Sequence, residues 1–317
     1  MEKRGFEFSF GWIFAIIVGA AIIFLAIYAT VKIIGTERYR QDSELAKELG
    51  IILGPVETTL ESGKTAKIKL PATTRLFNEC DAKLSVGIFG TQKIGTATKS
   101  GIGKEWEKPG EFSTFKSKYI FSSNIIEGDS YLIFAIPLNM PFKIADLIYI
   151  LSDEYCFVSP PGEVEEEIKE LGLDNIKIEI SVNKCSSKSK KVCFSNSGCD
   201  IDVALDANKF KGSVKRKFSE IVYFEGEPLL YGAIFAEPKI YECQLKRLMR
   251  RASELAGLYR AKSIFLTPKG CASNLELELG RYNNGTINIE NSLKIRDIAI
   301  ISDEIKRRND ELACKLF

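Results

Sequence analysis

The sequence predicts an α+β protein anchored in a membrane by one N-terminal helix, and three observations lead to this fold class. Residues 8–31 are twenty-four consecutive uncharged residues, enough for an α-helix to cross the roughly 30 Å hydrocarbon core of a bilayer. Residues 55–160 contain short runs that alternate polar and apolar side chains, and residues 161–317 mix strand and helix patterns. We therefore expect a β-sandwich-like domain followed by a C-terminal α/β or α+β domain.

The N-terminal 54 residues are predicted to be mainly helical and to hold the chain in the membrane. A helix satisfies its own backbone hydrogen bonds, which makes it the open-chain form that is stable in lipid. We assign residues 1–7 to a short basic leader or head, residues 8–35 to the transmembrane helix and residues 36–54 to a juxtamembrane helical stalk. The stalk either prolongs the membrane helix or begins again after Gly35, because glycine is a poor helix former.

The β-sandwich prediction for residues 55–160 depends on strand-like runs that glycine and proline separate. Alternating or β-branched side chains mark the predicted strands at residues 67–70, 83–88, 119–121, 131–134 and 147–151. Several short strands with turn signals between them are typical of a sandwich.

The C-terminal range begins after Pro160 and Pro161 with a short acidic helix, residues 162–172, and a strand, residues 176–180. With a first strand in residues 147–157 they would form a βαβ unit that ties the two halves together. Further strands are predicted at residues 202–205, 213–224, 229–235 and 275–279, a turn at 283–285, and helices at 237–260 and 294–317.

The cysteines indicate the redox compartment. All of them follow the apolar run: Cys80, Cys156, Cys185, Cys193, Cys199, Cys243, Cys271 and Cys314. An even number on one side of a membrane anchor favours disulfides in an oxidising compartment. Buried free thiols and a metal site are the alternatives, although the sequence has no CxxC pair.

The orientation of the anchor follows from the cysteines rather than from the flanking charges. Lys3 and Arg4 precede the apolar run, while Lys32, Arg38 and Arg40 follow it, so the positive-inside rule gives no clear answer. Because disulfides form outside the cytoplasm, we expect a single-pass protein of the cell membrane with its C-terminal domains outside.

Composition excludes several kinds of site. The chain has no histidine, which removes the commonest general base and the commonest nitrogen ligand of zinc. We therefore expect no catalytic residue and no cofactor. Its 44 basic and 42 acidic residues nearly cancel, so we expect no nucleic-acid partner, and we interpret Lys246, Arg247, Arg250 and Arg251 as a solvated helix face.

Three aspartates are the candidate metal ligands. Asp200, Asp202 and Asp206 lie in the segment CDIDVALD. On a strand they would share one face, and with loop oxygens they could hold a hard cation such as calcium. The alternative is an exposed strand face whose neighbouring apolar side chains point inward.

The N-terminus of the chain resembles a known signal. Lys3, Arg4 and Gly5 precede Phe6 and the apolar helix, which resembles the class III signal peptide of type IV pilin-like proteins, including those of archaeal surface filaments. The resemblance implies that a prepilin peptidase cuts between Gly5 and Phe6. It covers about the first thirty residues and departs at Phe10, where bacterial pilins usually carry glutamate. A plain signal anchor explains the same residues without a protease, and the rest of the chain resembles no family.

These observations lead to two expectations about function. The first is a surface-exposed protein of structural or binding type that contacts membrane lipid and, by the resemblance, is a pilin-like filament subunit. Gly11, Ala15, Gly19 and Ala26 offer a small-residue face through which copies of the helix could associate. The alternative is a membrane-anchored enzyme with its active site in the C-terminal domain.

Overall fold

The computed structural model describes residues 10–59, 65–99, 106, 108–194, 198–206 and 210–317. The leader-cleavage candidates Gly5 and Phe6 lie outside these residues. In the described part the chain forms a mixed α+β structure with one long N-terminal helix and two six-stranded sheets.

The N-terminal helix, α1, runs without a break over Phe10–Thr59. It passes through Gly35, so the alternative in which the stalk prolongs the membrane helix is the one observed. Among the described residues, α1 is the one helix long and apolar enough to cross a membrane, and none of its most apolar 18-residue window is buried. Its exposed apolar side chains need a lipid or protein environment.

The first sheet contains β1 to β6 in the spatial order β3-β2-β1-β5-β6-β4. Its strands are β1 Thr65–Asp81, β2 Thr91–Thr98, β3 Ser113–Phe115, β4 Tyr119–Phe121, β5 Ile125–Asn139 and β6 Lys143–Leu151. All neighbours are antiparallel except β4 and β6, which are parallel. These strands form a single layer, whereas the sequence led us to expect a sandwich from the same range.

The second sheet contains β7 to β12 in the spatial order β12-β11-β10-β9-β7-β8. Its strands are β7 Tyr155–Val158, β8 Ile176–Glu179, β9 Lys190–Cys193, β10 Ile201–Leu205, β11 Lys211–Arg216 and β12 Ile221–Glu225. The helix α2, Gly162–Glu170, connects the parallel strands β7 and β8, which is a βαβ unit. Its first strand is β7 rather than the whole of residues 147–157, because β6 belongs to the first sheet.

A buried helix, α3 at Glu227–Phe235, lies between the two sheets. The ring of Phe235 is 6.1 Å from that of Phe134 in the first sheet and 6.4 Å from that of Phe157 in the second. The strand prediction for residues 229–235 is therefore wrong. A short, continuous apolar run fits a buried strand and a buried helix equally well, and Pro228 in the first turn favours the helix.

The remaining helices are α4 Pro238–Leu266, α5 Glu276–Ile287 and α6 Ile295–Glu311. The predicted strand at residues 275–279 and turn at 283–285 are wrong, because residues 276–279 and 283–285 lie in α5 and Leu275 is its N-cap. Tertiary contacts overrule the turn signal: the amide of Asn283 donates to the carbonyl of Ser253 at 2.8 Å, and Tyr282 is fully buried. The last helix ends before residue 317, since Asn309 accepts a hydrogen bond from the Leu316 amide at 2.7 Å and so turns the chain back.

Candidate functional site

All eight cysteines are paired. The bonds join Cys80 to Cys243, Cys156 to Cys185, Cys193 to Cys199 and Cys271 to Cys314, with Cα–Cα distances of 6.1, 5.8, 5.9 and 5.8 Å. These distances lie within the usual range for disulfides. Cys193 and Cys199 lie close to Asp202, with ligand atoms within 4.8 Å of one another. Because an oxidised pair offers no thiolate, this group fits a metal ion only after reduction.

The three candidate aspartates are held by different groups of the protein. Asp200 accepts hydrogen bonds from the amide of Lys191 at 3.0 Å and the ammonium of Lys217 at 3.2 Å. Partial burial works against ionisation, but these two donors lower the pKa of Asp200. Both oxygens of Asp202 accept backbone N–H groups, from residues 198 and 199, at 3.0 Å. Asp206 lies 3.3 Å from Arg296, and the calcium site stays a prediction.

An acidic cavity of about 890 Å³ opens at one end of the β11–β12 hairpin, between α2 and α6. Its carboxylates come from three separate segments of the chain: Glu163, Glu167 and Glu170, then Glu225 and Glu227, then Asp303. Lys211 is the one basic side chain among the described lining residues. Apolar side chains, including those of Leu138, Met140 and Phe210, complete the wall.

Burial sets the electrostatics of the acidic cavity. Glu225 is only 4% exposed, and its carboxylate lies 3.2 Å from the ammonium of Lys211. Burial raises the pKa of Glu225 although Lys211 acts in the opposite direction. Burial also raises the pKa of Glu227, whose Oε1 accepts no hydrogen bond in the described structure. A cationic group entering this cavity would replace lost solvation for these carboxylates.

A basic cavity of about 1170 Å³ opens at the other end of the same hairpin. Its cationic side chains are Lys188, Lys190, Lys215, Arg216, Lys217 and Lys239, against the acids Asp200, Glu220 and Glu237. Burial lowers the pKa of Arg216, whose guanidinium donates to the carbonyl of Ile234. The cavity therefore suits an anionic group.

The solvated face predicted on α4 is wrong for Arg247 and Arg250, and Arg250 donates a hydrogen bond to the carbonyl of Ala82. Arg247 is fully buried. Its guanidinium donates to the carbonyls of Phe89 and Lys118 at 2.8 Å and of Lys116 at 2.9 Å. Burial lowers its pKa to about 10. Arg247 therefore joins α4 to the loops of the first sheet. Its position beside the apolar stripe of the helix was the available signal in the sequence.

Comparison of the chain with protein-family models, with curated proteins and with solved structures gives no significant match. The pilin resemblance therefore has no support beyond the N-terminal sequence. The described structure has two oppositely charged cavities, one suited to cations and one to anions. Both lie on the disulfide-bonded part of the chain that follows the apolar helix α1, which we call the head.

Proposed function

We propose that this protein is a single-span, membrane-anchored surface protein of structural or binding type, and that copies assemble into a filament through the apolar helix. The observation that carries the proposal is the continuity of α1. One helix contains the exposed apolar segment and the residues that are packed into the folded head. Its membrane and head segments are thus one continuous helical rod.

The C-terminal half of α1 packs closely against the head. Asp42 is 1% exposed and Ala46 is fully buried against the first sheet. The carbonyl of Asp42 accepts a hydrogen bond from the hydroxyl of Thr96 at 2.6 Å, and the Ser43 hydroxyl accepts one from the amide of Glu111 at 2.8 Å. A helix that packs against other copies would therefore fix the positions of their heads as well.

The four disulfides support a head outside the cytoplasm, because reducing conditions inside most cells would keep these thiols free. Small residues support association of the helix. Gly19 has no other atom within 4 Å of the position that its Cβ would occupy, so another helix can approach its backbone closely. Removal of the leader between Gly5 and Phe6 would suit such an assembly, and intact-mass analysis of the native protein decides whether it occurs.

The first experiment tests location. Native membranes are treated with a maleimide under denaturing conditions, before and after reduction, and intact cells are treated with protease. We expect almost no labelling before reduction, eight labels after it, and digestion of the head from outside. Six or more labels before reduction, or a head that only permeabilised cells expose to protease, would reject the surface location.

The second experiment tests assembly. Gly19→Leu places a bulky side chain on the small-residue face and should weaken association of full-length chains in lipid vesicles, measured by energy transfer between labelled copies. Ala20→Leu is the matched control, because residue 20 lies about 100° round the helix from residue 19. Equal association of both variants and the wild type would contradict assembly through this face.

The enzyme alternative gains little from the described residues. The basic cavity places Asp200 beside Lys217, but the two side chains form an ion pair at 3.2 Å. Asp202 caps backbone N–H groups instead of facing a nucleophile. These contacts are structural, so we favour the structural or binding function.

A further inference from the structure

The tip of the β11–β12 hairpin is the most unusual surface of the head. We define the tip as residues 215–218, which are Lys215, Arg216, Lys217 and Phe218. Phe218 is fully exposed, with a larger exposed fraction than any other large hydrophobic side chain in the described residues. Its backbone has a φ of 58°, a region that bulky residues rarely occupy and that costs about 1–2 kcal/mol.

The acidic cavity is chemically complementary to this tip. Among the described lining residues, six carboxylates and one lysine give it a negative rim, while Leu138, Met140 and Phe210 add apolar side chains. A phenyl ring could bury against those apolar side chains while the exposed Lys215 pairs with the rim. Lys217 already pairs with Asp200, and Arg216 donates to the carbonyl of Ile234. Its volume, about 890 Å³, lies in the range of pockets that hold a few side chains.

The two features lie at opposite ends of one hairpin. Lys211, at the start of β11, lines the acidic cavity, and Arg216, at the end of β11, belongs to the tip. A strand of this length spans about 17 Å from end to end. Because the tip and the cavity are separate surfaces of the head, one copy can offer its tip to one neighbour and its cavity to another.

We infer that the tip of one copy seats in the acidic cavity of a second copy, so that the heads associate head to tail. This inference rests on the proposed function of a self-assembling surface protein and adds a second contact, between heads, to the one between helices. Each copy has one tip and one cavity, so the contact is heterologous. It can continue indefinitely, as a filament requires. Opposite charges on the two surfaces favour this pairing and disfavour tip against tip.

The experiment uses full-length protein in vesicles of neutral lipid and in its native membrane. One sample carries p-benzoylphenylalanine in place of Phe218, and a second carries it in place of Ile16, which is exposed on the apolar helix. The first reports contact between heads and the second contact between helices. Mixing isotopically labelled and unlabelled copies identifies crosslinks between different chains. We expect position 218 to crosslink to a peptide that contains residues 136–140, 163–171 or 210–211 of another copy.

Substitutions test the chemistry of the contact. Phe218→Asn removes the phenyl ring and accepts a positive φ more readily, so it should leave folding intact and reduce association of the heads about tenfold. Lys215→Glu and Glu170→Lys should each reduce association of the heads when present alone. In a mixture of the two variants, Glu at position 215 of one copy faces Lys at position 170 of the other, so crosslinking between unlike copies should be restored. Lys67→Glu, an exposed site on the first sheet, makes the same charge change and should have no effect.

The outcomes separate this inference from the proposed function. Crosslinks from position 16 without crosslinks from position 218 to the cavity would leave helix assembly standing and overturn the contact between heads. An absence of crosslinks between chains at both positions would overturn both. Crosslinking of position 218 to lipid, to nucleic acid or to another protein would also overturn the inference, since the tip would then have a different partner.

Discussion

The two sheets share one core but cover their outer faces in different ways. The outer face of the first sheet buries a cluster of apolar side chains, Leu76, Ile94, Ile120, Ile126, Tyr131, Ile133, Ala135, Ile148 and Ile150, and Leu45 of α1 packs against it. The outer face of the second sheet buries Cys156, Val158, Cys193 and Cys199. One face is closed by hydrophobic contact with a helix, the other by two disulfides.

Strand length explains the difference. β1 and β5 contain 17 and 15 residues, so alternate positions supply enough apolar side chains to both faces. The four parallel strands of the second sheet contain four or five residues each, and most of their apolar side chains face the core. Disulfides stabilise such a thin layer without burying much surface. The comparison also shows that α1 is part of the fold, because Leu45 packs against the first sheet.

The largest effect is expected on the outer face of the first sheet. Ile148 is fully buried there, and Ile148→Ala should lower the free energy of unfolding by about 4 kcal/mol through lost burial and a residual cavity. Denaturant unfolding of the protein in detergent micelles measures the change. Ile125→Ala is the control, because Ile125 is 47% exposed in β5. A cost for Ile148→Ala no larger than that of the control would show that this face does not depend on packing.

The next effect concerns the outer face of the second sheet. Replacing Cys156 and Cys185 by alanine opens a loop with a sequence separation of 29, and replacing Cys193 and Cys199 opens one of 6. The loop-entropy relation predicts losses of about 3.6 and about 2.2 kcal/mol respectively. Unfolding measured on the two double variants checks both values. If neither variant is destabilised, packing rather than covalent bonds closes this face, and the comparison between the sheets fails.

The long helix α1 and parts of β1, β4, β5 and β6 could be predicted from the sequence, because these segments show their period clearly. The strand predicted at residues 83–88 is wrong, since Leu84–Val86 forms a 3-10 turn, and β2 was not predicted. The second sheet and its neighbours were harder. The apolar run of α3 has no period that separates strand from helix, and the Asn-Asn-Gly turn signal in α5 is overruled by burial of Tyr282. Local rules fail where tertiary contacts dominate.

The charged cavities could not be predicted as sites, because their side chains come from distant parts of the chain. The acidic cavity combines residues of α2, the end of β12 and α6. One signal was available: Glu163, Glu167 and Glu170 recur at helical spacing on one face of α2. The hairpin was missed, because residues 213–224 were predicted as one strand, whereas a turn at residues 217–219 separates β11 from β12.

A smaller effect is expected where α1 meets the first sheet. A Cβ on Gly110 would lie 2.6 Å from the amide nitrogen of Ser43 and 2.8 Å from its hydroxyl oxygen. Gly110→Ala should therefore push α1 away from the sheet and cost about 2 kcal/mol. Gly35→Ala in α1 is the control: a Cβ at residue 35 meets no atom within 4 Å, so this substitution should leave stability unchanged or raise it slightly. Amide hydrogen exchange in β2 reports the loss of stability. Equal exchange in the two variants would mean that α1 does not stabilise this face of the sheet.

The smallest effect is expected in the core that the sheets share, at the acidic cavity. Burial raises the pKa of Glu227 above its ordinary value of 4.5, and Tyr149 and Tyr231 lie close enough to experience its charge. A carboxyl with a raised pKa contributes its full stability below the unfolded pKa and loses it as pH rises through the folded pKa. Glu227→Gln removes that loss, so the free energy of unfolding of the variant should increase relative to that of the wild type as pH rises from 4 to 8. We expect a gain below about 1 kcal/mol, because the carboxyl is partly exposed and solvent screens it. Thermal unfolding at several pH values measures the difference in stability between the variant and the wild type. Glu170→Gln, at an exposed site, is the control for a change of charge alone. A stability difference that does not grow with pH would show that burial of the Glu227 carboxyl does not destabilise the fold.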